Sequence, residues 1–367
     1  MDSLYIHIPF CMQLCSYCDF HKEIANPHKM KAYIEALKTE LKYHQNDYKS
    51  LQTIYVGGGT PSTLPLTHLD SFLSALHDHI DMESIKEFTF EANPKDITPP
   101  LVKRLKHYGV NRVSLGAQTF DAAQLSRLKR DHTPSDIERA INILYRENLT
   151  NISLDMLFGL PNQTLKDLKH DLKRLETLKV KHISYYSLIL EPNTRLYHQV
   201  TKQKLTLPNE EIVAQMYETV MDRLNQMGFH QYEVSSFSKN APSLHNQLIW
   251  QDHDYLGIGS GAHGKYNDMR YFNTPRIKTY VETLSQTQAP PKESYPYEAK
   301  RDFLLMGMRL LKGVSLRRYY QRFESELLKD YPSLKPLIQL GFLTLEHDHL
   351  AFSKKGLMVG NNIFELF

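Results

Sequence analysis

From residue 3 to about residue 235 the chain repeats one unit: a short apolar run, a turn, then a longer segment with apolar residues at three- and four-residue steps. Short apolar runs bounded by turns read as strands, and the longer periodic segments read as amphipathic helices. This alternation constrains the fold more than any other feature. Parallel strands need helical crossovers, and the helices must bury one face on the sheet. Six strands are predicted, over residues 4–8, 53–56, 87–91, 112–115, 151–157 and 182–188. Helices are predicted over residues 29–44, 66–79, 100–108, 135–147, 165–178 and 209–227, with Thr133-Pro134 as a helix start and Gly109 as a helix end. The reading is an α/β fold: a partial (β/α)6 TIM-like barrel over residues 1–235, whose chemistry belongs at the C-terminal strand ends.

Each strand end therefore belongs to one candidate site. The first strand runs into Cys11-Met12-Gln13-Leu14-Cys15-Ser16-Tyr17-Cys18, which holds all three cysteines of the chain. Thiolates are soft ligands that select zinc or iron-sulfur clusters. A [4Fe-4S] cube takes four thiolates, so three leave one iron open to a small chelating molecule. A zinc ion held by the cysteines and His7 or His21 is the competing reading. The second strand leads into Gly57-Gly58-Gly59-Thr60-Pro61, where backbone can approach a ligand closely. The third ends at Glu91, and the fourth leads to Gln118 and then Arg130, whose guanidinium can fork onto a carboxylate. Asp155 interrupts the apolar fifth strand, and a buried carboxylate needs a partner, structural or functional. Ile189 follows the sixth as an apolar wall.

With Tyr5-Ile6-His7-Ile8-Pro9-Phe10 ahead of it, the cysteine loop resembles that of the radical SAM superfamily. Within it, the resemblance is to the branch containing oxygen-independent coproporphyrinogen III oxidase and the heme chaperone HemW. It covers nearly the whole chain, most strongly residues 5–20, 57–62, 91, 118–130, 155–161 and 245–264. The resemblance implies a [4Fe-4S] cluster on Cys11, Cys15 and Cys18 with S-adenosylmethionine (SAM) on the fourth iron, where the superfamily cleaves SAM to a 5′-deoxyadenosyl radical. It implies SAM contacts from Gly57, Gly58, Gly59, Thr60, Glu91, Gln118, Arg130 and Asp155, with Ile189 near the adenine. Tyr5 and Tyr17 would flank the cluster, and His263, in the glycine-rich stretch 257–264, would lie near SAM.

Two further features bear on the branch. The oxidase continues its loop as C-x-C, whereas Cys18-Asp19-Phe20 places phenylalanine there, and with the loop starting at residue 11 the oxidase's covering extension is expected to be missing. Second, His245-Asn246-Gln247-Leu248-Ile249-Trp250 resembles the H-N-x-x-Y-W motif linked to heme binding, with Ile249 in place of tyrosine. Histidine is a common heme-iron ligand, so His245 and Trp250 are the heme candidates. The resemblance implies a heme chaperone within porphyrin metabolism that binds heme and passes it to acceptor hemoproteins, respiratory enzymes at the membrane, with cluster and SAM licensing dimerisation or transfer. The alternative is a coproporphyrinogen dehydrogenase, an activity that Phe20 leads us to expect absent; a zinc-stabilised binding module is the third class.

The remaining features bound the partners. The 44 basic and 41 acidic residues are spread along the chain, with no basic tract that argues for nucleic acid. No stretch approaches the ~20 apolar residues of a membrane span, and Met1-Asp2-Ser3 does not open a secretory leader, so the expected location is cytoplasmic. Residues 236–295 show little periodicity and are expected to be linking and covering loops. Residues 296–367 read as two helices followed by paired strands at 342–345 and 350–352, a small α+β, winged-helix-like domain. Arg317-Arg318 alone make no recognition helix, so a lid for substrate or partner is expected there.

Overall fold

The computed structural model of the chain describes residues 1–266 and 269–366. The six anticipated strands are β1 (Ser3–Ile8), β2 (Thr53–Gly58), β3 (Glu87–Ala92), β4 (Arg112–Gln118), β5 (Ile152–Phe158) and β6 (His182–Ser187), paired in sequence order and all parallel. Between and after them run α1 (Pro27–Tyr43), α2 (Leu66–His79), α3 (Pro99–His107), α4 (Pro134–Arg146), α5 (Leu165–Leu175) and α6 (Glu210–Gln226). Thr133 and Asp136 form a capping box at the start of α4, and Thr164 and Asp167 form another at α5. Each such cap stabilises its helix by about 1 kcal/mol.

The strands alternate sharply. Leu4, Ile6, Ile8, Ile54, Val56, Phe88, Phe90, Val113, Leu115, Leu154, Met156 and Ile183 belong to one continuous core with the helices. Burying a side chain of this size contributes roughly 1.5–3 kcal/mol. The opposite faces carry polar groups that bond across the strands: Thr53 to Ser3, Tyr55 to Glu91, Arg112 to Thr89, Ser114 to Asp155 and Ser153 to His182. A fold held together from outside in this way leaves its interior free for chemistry.

Residues 236–295 depart from the loop expectation. They contain β8 (Ser236–Ser238), α7 (Leu244–Trp250), β9 (Tyr255–Ile258), β10 (His263–Tyr266), β11 (Met269–Asn273), α8 (Ile277–Thr287) and β12 (Lys292–Pro296), after β7 (His230–Gln231). Strand β9 pairs in parallel with β1, Ser3 opposite Tyr255 through Ile6 opposite Ile258, so a seventh strand continues the barrel on its other side. Strands of three to five residues show no usable periodicity, and β10 to β12 are joined to the barrel through β9, whose partner β1 is far away in sequence. The resulting twelve-stranded sheet runs β12-β11-β10-β9-β1-β2-β3-β4-β5-β6-β8-β7, an open arc.

Helix α7 covers the N-terminal ends of the strands, the floor of the barrel. Glu87, at the start of β3, accepts bonds from Ser243 Oγ (3.1 Å) and from the backbone N–H of Leu244 (2.8 Å) and His245 (3.1 Å). A carboxylate against the positive end of a helix is electrostatically favourable. On the far side of α7 lies the C-terminal unit, with its own core of Phe303, Leu304, Tyr319, Leu334, Leu350 and Phe352. In its antiparallel sheet His349–Phe352 pairs with both Val314–Ser315 and Leu343–Glu346. The unit is α+β as expected, but Val314–Ser315 precedes the helices Leu316–Phe323, Leu327–Asp330 and Leu334–Gln339, and two short helices follow the last strand, so it holds more helices than the two expected. The Arg309 guanidinium stacks 4.3 Å from the Trp250 ring, and Arg318 donates to the Gln251 carbonyl, so these arginines face the barrel floor.

Candidate cluster and cofactor site

At the opposite end, the mouth, the cysteine loop is fastened by its neighbours. Ser16 N–H donates to Leu128 O (3.0 Å), Ser16 Oγ to Arg127 O (3.1 Å), Gln13 Nε2 to Lys129 O (2.9 Å), and Leu196 N–H to Ser16 O (2.7 Å). Tyr17 packs with Leu128, Leu157, Leu160 and Leu188 beneath it. Cys11 is buried while Cys15 and Cys18 are partly exposed. Burial pushes the Cys11 thiol up to about 11 and raises that of Cys18, so binding a metal must displace those protons.

Two donors address the sulfurs. Thr60 Oγ1 lies 3.4 Å from Cys11 Sγ, and Arg130 Nη1 lies 3.3 Å from Cys15 Sγ. Arg130 Nη2 donates to Gly116 O (2.8 Å), while its Nε is buried without a partner among the described residues. That orphaned donor faces a site made for an acceptor the chain does not itself supply. Between Gly116 and Gln118 the β4–β5 pairing slips at a bulge, and Gln118 adopts a left-handed φ of 67°. Backbone strain of this kind concentrates at ligand sites.

Glu91 accepts from Tyr55 Oη at 2.6 Å and from the Gly58 N–H at 3.2 Å. Gly57 has no room for a side chain, since a Cβ there would lie 2.8 Å from the Glu91 carboxylate. Burial raises the Glu91 carboxyl to about 7, the Asp155 charge adds to the rise, and the Tyr55 bond opposes it. Asp155, also raised by burial, accepts from Ser114 Oγ through both oxygens (2.9 and 3.1 Å). Tyr5 Oη bonds His7 Nδ1 (2.9 Å), and His7 Nε2 bonds the His21 carbonyl (2.9 Å). Both His7 nitrogens are thus engaged. Among the described residues no group of three Cys, His, Asp or Glu side chains is placed to hold a single metal ion.

Most sequence-predicted residues gather here, with Gly59 and Thr60 beside the loop. His263 is exposed, yet close enough to His7 to disfavour its protonation. Ile189 stands on the rim, 60% exposed. His245 and Trp250 are elsewhere. His245 is 2% exposed at the floor, with Nδ1 bonded to Thr53 Oγ1 (2.9 Å) and its ring 5.1 Å from that of Tyr55. Burial, with Arg112 nearby, holds its imidazole down at about 3, and so neutral. The ring therefore lies at the floor, away from the mouth, with its Nδ1 already engaged by Thr53. Trp250 is partly buried between that floor and Arg309.

The sequence reading missed Tyr55, Ser114 and Glu40. Glu40 is fully buried and accepts from Tyr280 Oη (2.5 Å), Asn273 Nδ2 (2.7 Å) and Gly259 N–H (2.8 Å), fixing the glycine-rich turn beside the mouth. Its signal was its place on the apolar stripe of α1 formed by Tyr33, Leu37 and Leu41. The donor set as a whole fits a three-thiolate cluster with a chelating amino acid: soft ligands on one loop, donors aimed at two sulfurs, an unused buried guanidinium nitrogen, and carboxylates for an amine.

Comparison with known proteins agrees. Residues 5–175 match the radical SAM superfamily, and residues 296–359 match the HemN C-terminal domain. The chain is 35% identical to the heme chaperone HemW of Bacillus subtilis (strain 168), over 100% of this chain and 99% of that protein. It is 35% identical to the HemW of Lactococcus lactis (100% and 97% covered) and 31% identical to that of Escherichia coli K12 (100% and 97%). The solved structure of coproporphyrinogen III oxidase (HemN) from Escherichia coli, a radical SAM enzyme, superposes with a TM-score of 0.83 over 99% of this chain and 89% of its own, at 22% identity, which establishes the shared fold. By end-to-end similarity to these relatives, the chain belongs to the HemW family of the radical SAM superfamily.

Proposed function

We propose that this protein is a heme chaperone, which binds heme and hands it to acceptor hemoproteins, respiratory enzymes at the membrane. The observation that carries the reading is its 31–35% identity to curated heme chaperones across essentially both full lengths, against 22% to the oxidase of the same fold. Phe20, 71% exposed, stands where the oxidase loop would add a cysteine. No helix among the described residues is long and apolar enough to cross a membrane, and the proposed location is the cytoplasm, with a homodimer as the working form.

In this reading Cys11, Cys15 and Cys18 hold a [4Fe-4S] cluster with SAM at the open iron, a pair that supplies one-electron chemistry when bound. The chain's own residues do the holding. Arg130 orients the Cys15 sulfur and offers its free Nε to a carboxylate. Glu91, steadied by Tyr55 and Gly58, and Asp155, steadied by Ser114, offer acceptors to an amine and to ribose hydroxyls. Tyr5 and Tyr17 flank the loop, Gly57, Gly58, Gly59 and Thr60 let the backbone approach the ligand, and Gln118, Ile189 and His263 complete its surround.

The test is transfer. Heme-loaded protein with its cluster intact is mixed with an apo-hemoprotein, and the acceptor's spectrum is followed after separation of the two. Heme should move faster than from heme-loaded albumin at equal concentration. Equal rates, or heme that never leaves, would overturn the proposal.

A further inference from the structure

The mouth is fringed by large apolar side chains that the described residues leave exposed. Met12 is 62% exposed and Phe20 71%, and Leu14, Ile24 and Ile189 are also exposed. All of them belong to the cysteine loop and its immediate neighbours: Ile24 pairs with Cys11, and Leu188, next to Ile189, packs on Tyr17. Solvent-exposed apolar groups gathered in one place mark a binding surface more often than chance exposure. Beyond Arg130 and Lys22, which already bond to the same loop, three more cations stand beside it. The Arg127 and Lys129 carbonyls accept bonds from Ser16 and Gln13, and Leu196, next to Arg195, donates to Ser16. The side chains of Arg127, Lys129 and Arg195 are exposed and have no ion-pair partner among the described residues. Exposed apolar side chains on a loop flanked by exposed cations without ion-pair partners complement a flat, apolar molecule that carries carboxylates.

Resting on the chaperone reading, we infer that heme docks on this rim, its macrocycle against Met12, Leu14, Phe20 and Ile189 and its two propionates toward Arg127, Lys129 and Arg195. The cargo then sits directly over the cluster loop. Occupancy of the mouth by cluster and SAM would therefore shape the surface that heme meets.

Heme titration of the cluster-loaded protein tests this with two double variants, Met12→Ser with Phe20→Ser, and Arg127→Glu with Lys129→Glu. All four side chains are exposed, so far-UV dichroism and the cluster spectrum should be unchanged. The apolar double variant should bind heme at least tenfold more weakly, as expected from losing two large apolar contacts. Wild type should prefer heme over heme dimethyl ester, whose propionates are uncharged, and the charge-reversed variant should lose that preference. Wild-type affinity and preference in both variants, with wild type itself binding heme, would overturn the rim site while leaving the chaperone reading in place. Absence of heme binding by wild type would instead overturn the chaperone reading and the rim with it. Loss of dimer formation with unchanged heme affinity would show that a second copy covers the rim, and would also overturn the inference.

Discussion

Replacing His245 by alanine separates a floor histidine from a heme ligand. The ring is buried, hydrogen-bonded to Thr53 and packed against Tyr55, so His245→Ala should cost roughly 2–4 kcal/mol of stability at pH 7, the sum of a lost core side chain and a lost bond. That cost should depend on pH. The folded-state value of about 3 lies below the ordinary 6.5, so the fold keeps the ring neutral and the unfolded chain binds the extra proton. Stability from this group is therefore complete above 6.5 and is lost as pH falls toward 3. At pH 5 the loss is about 1.5 units at 1.36 kcal/mol each, near 2 kcal/mol. Alanine has no such loss, so the gap between wild type and His245→Ala should shrink by about 2 kcal/mol from pH 7 to pH 5. Urea unfolding followed by the fluorescence of Trp250, the single tryptophan and a neighbour on the same helix, reads the difference. Heme affinity, measured in the same samples, should stay within about twofold of wild type. A tenfold loss of heme affinity with an unchanged unfolding curve would refute the floor assignment.

Other perturbations address the mouth. Gly58→Ala places a Cβ 2.7 Å from the His7 ring at a φ of 116°, and should lower stability by about 1–3 kcal/mol and weaken SAM binding in equilibrium dialysis; an unaltered melting curve contradicts that geometry. Arg130→Ala removes the donor to Cys15 and should speed cluster loss to an iron chelator several-fold, while Arg130→Lys restores only part because it cannot reproduce the forked contacts; equal loss rates in all three proteins would count against it. Glu91→Gln should abolish a pH dependence: with its carboxyl raised from 4.5 to about 7, wild type loses stability as pH rises between those values, by up to roughly 3 kcal/mol, and the variant should lack this decline in denaturation at pH 5 and pH 8.

What could be read from the sequence follows from where the information lies. Strands β1 to β6 carry their own periodicity and end in residues of unusual type, so the barrel and the gathering of Cys11, Gly57, Glu91, Arg130 and Asp155 at one mouth were legible. Strand β9 was not, because four residues, Tyr255–Ile258, become a strand only through pairing with β1, some 250 residues earlier. His245 illustrates the deeper limit. Its motif marked it as special, but whether a histidine faces a ligand or fills a floor depends on Glu87, Thr53 and Tyr55 from other strands, and on the C-terminal unit packed behind α7. Glu40 shows the converse, for a carboxylate on the apolar stripe of α1 was a visible anomaly whose partners, Asn273 and Tyr280, lay out of reach.

The most direct test of the central claim is an anaerobic incubation of cluster-loaded protein with SAM, a reductant and coproporphyrinogen III, run beside a heme titration of the same preparation. The chaperone account expects about one heme bound per chain and no protoporphyrinogen, detected as its fluorescent oxidised form. Turnover of the porphyrinogen by this protein, with decarboxylated product accumulating over many cycles, would contradict it.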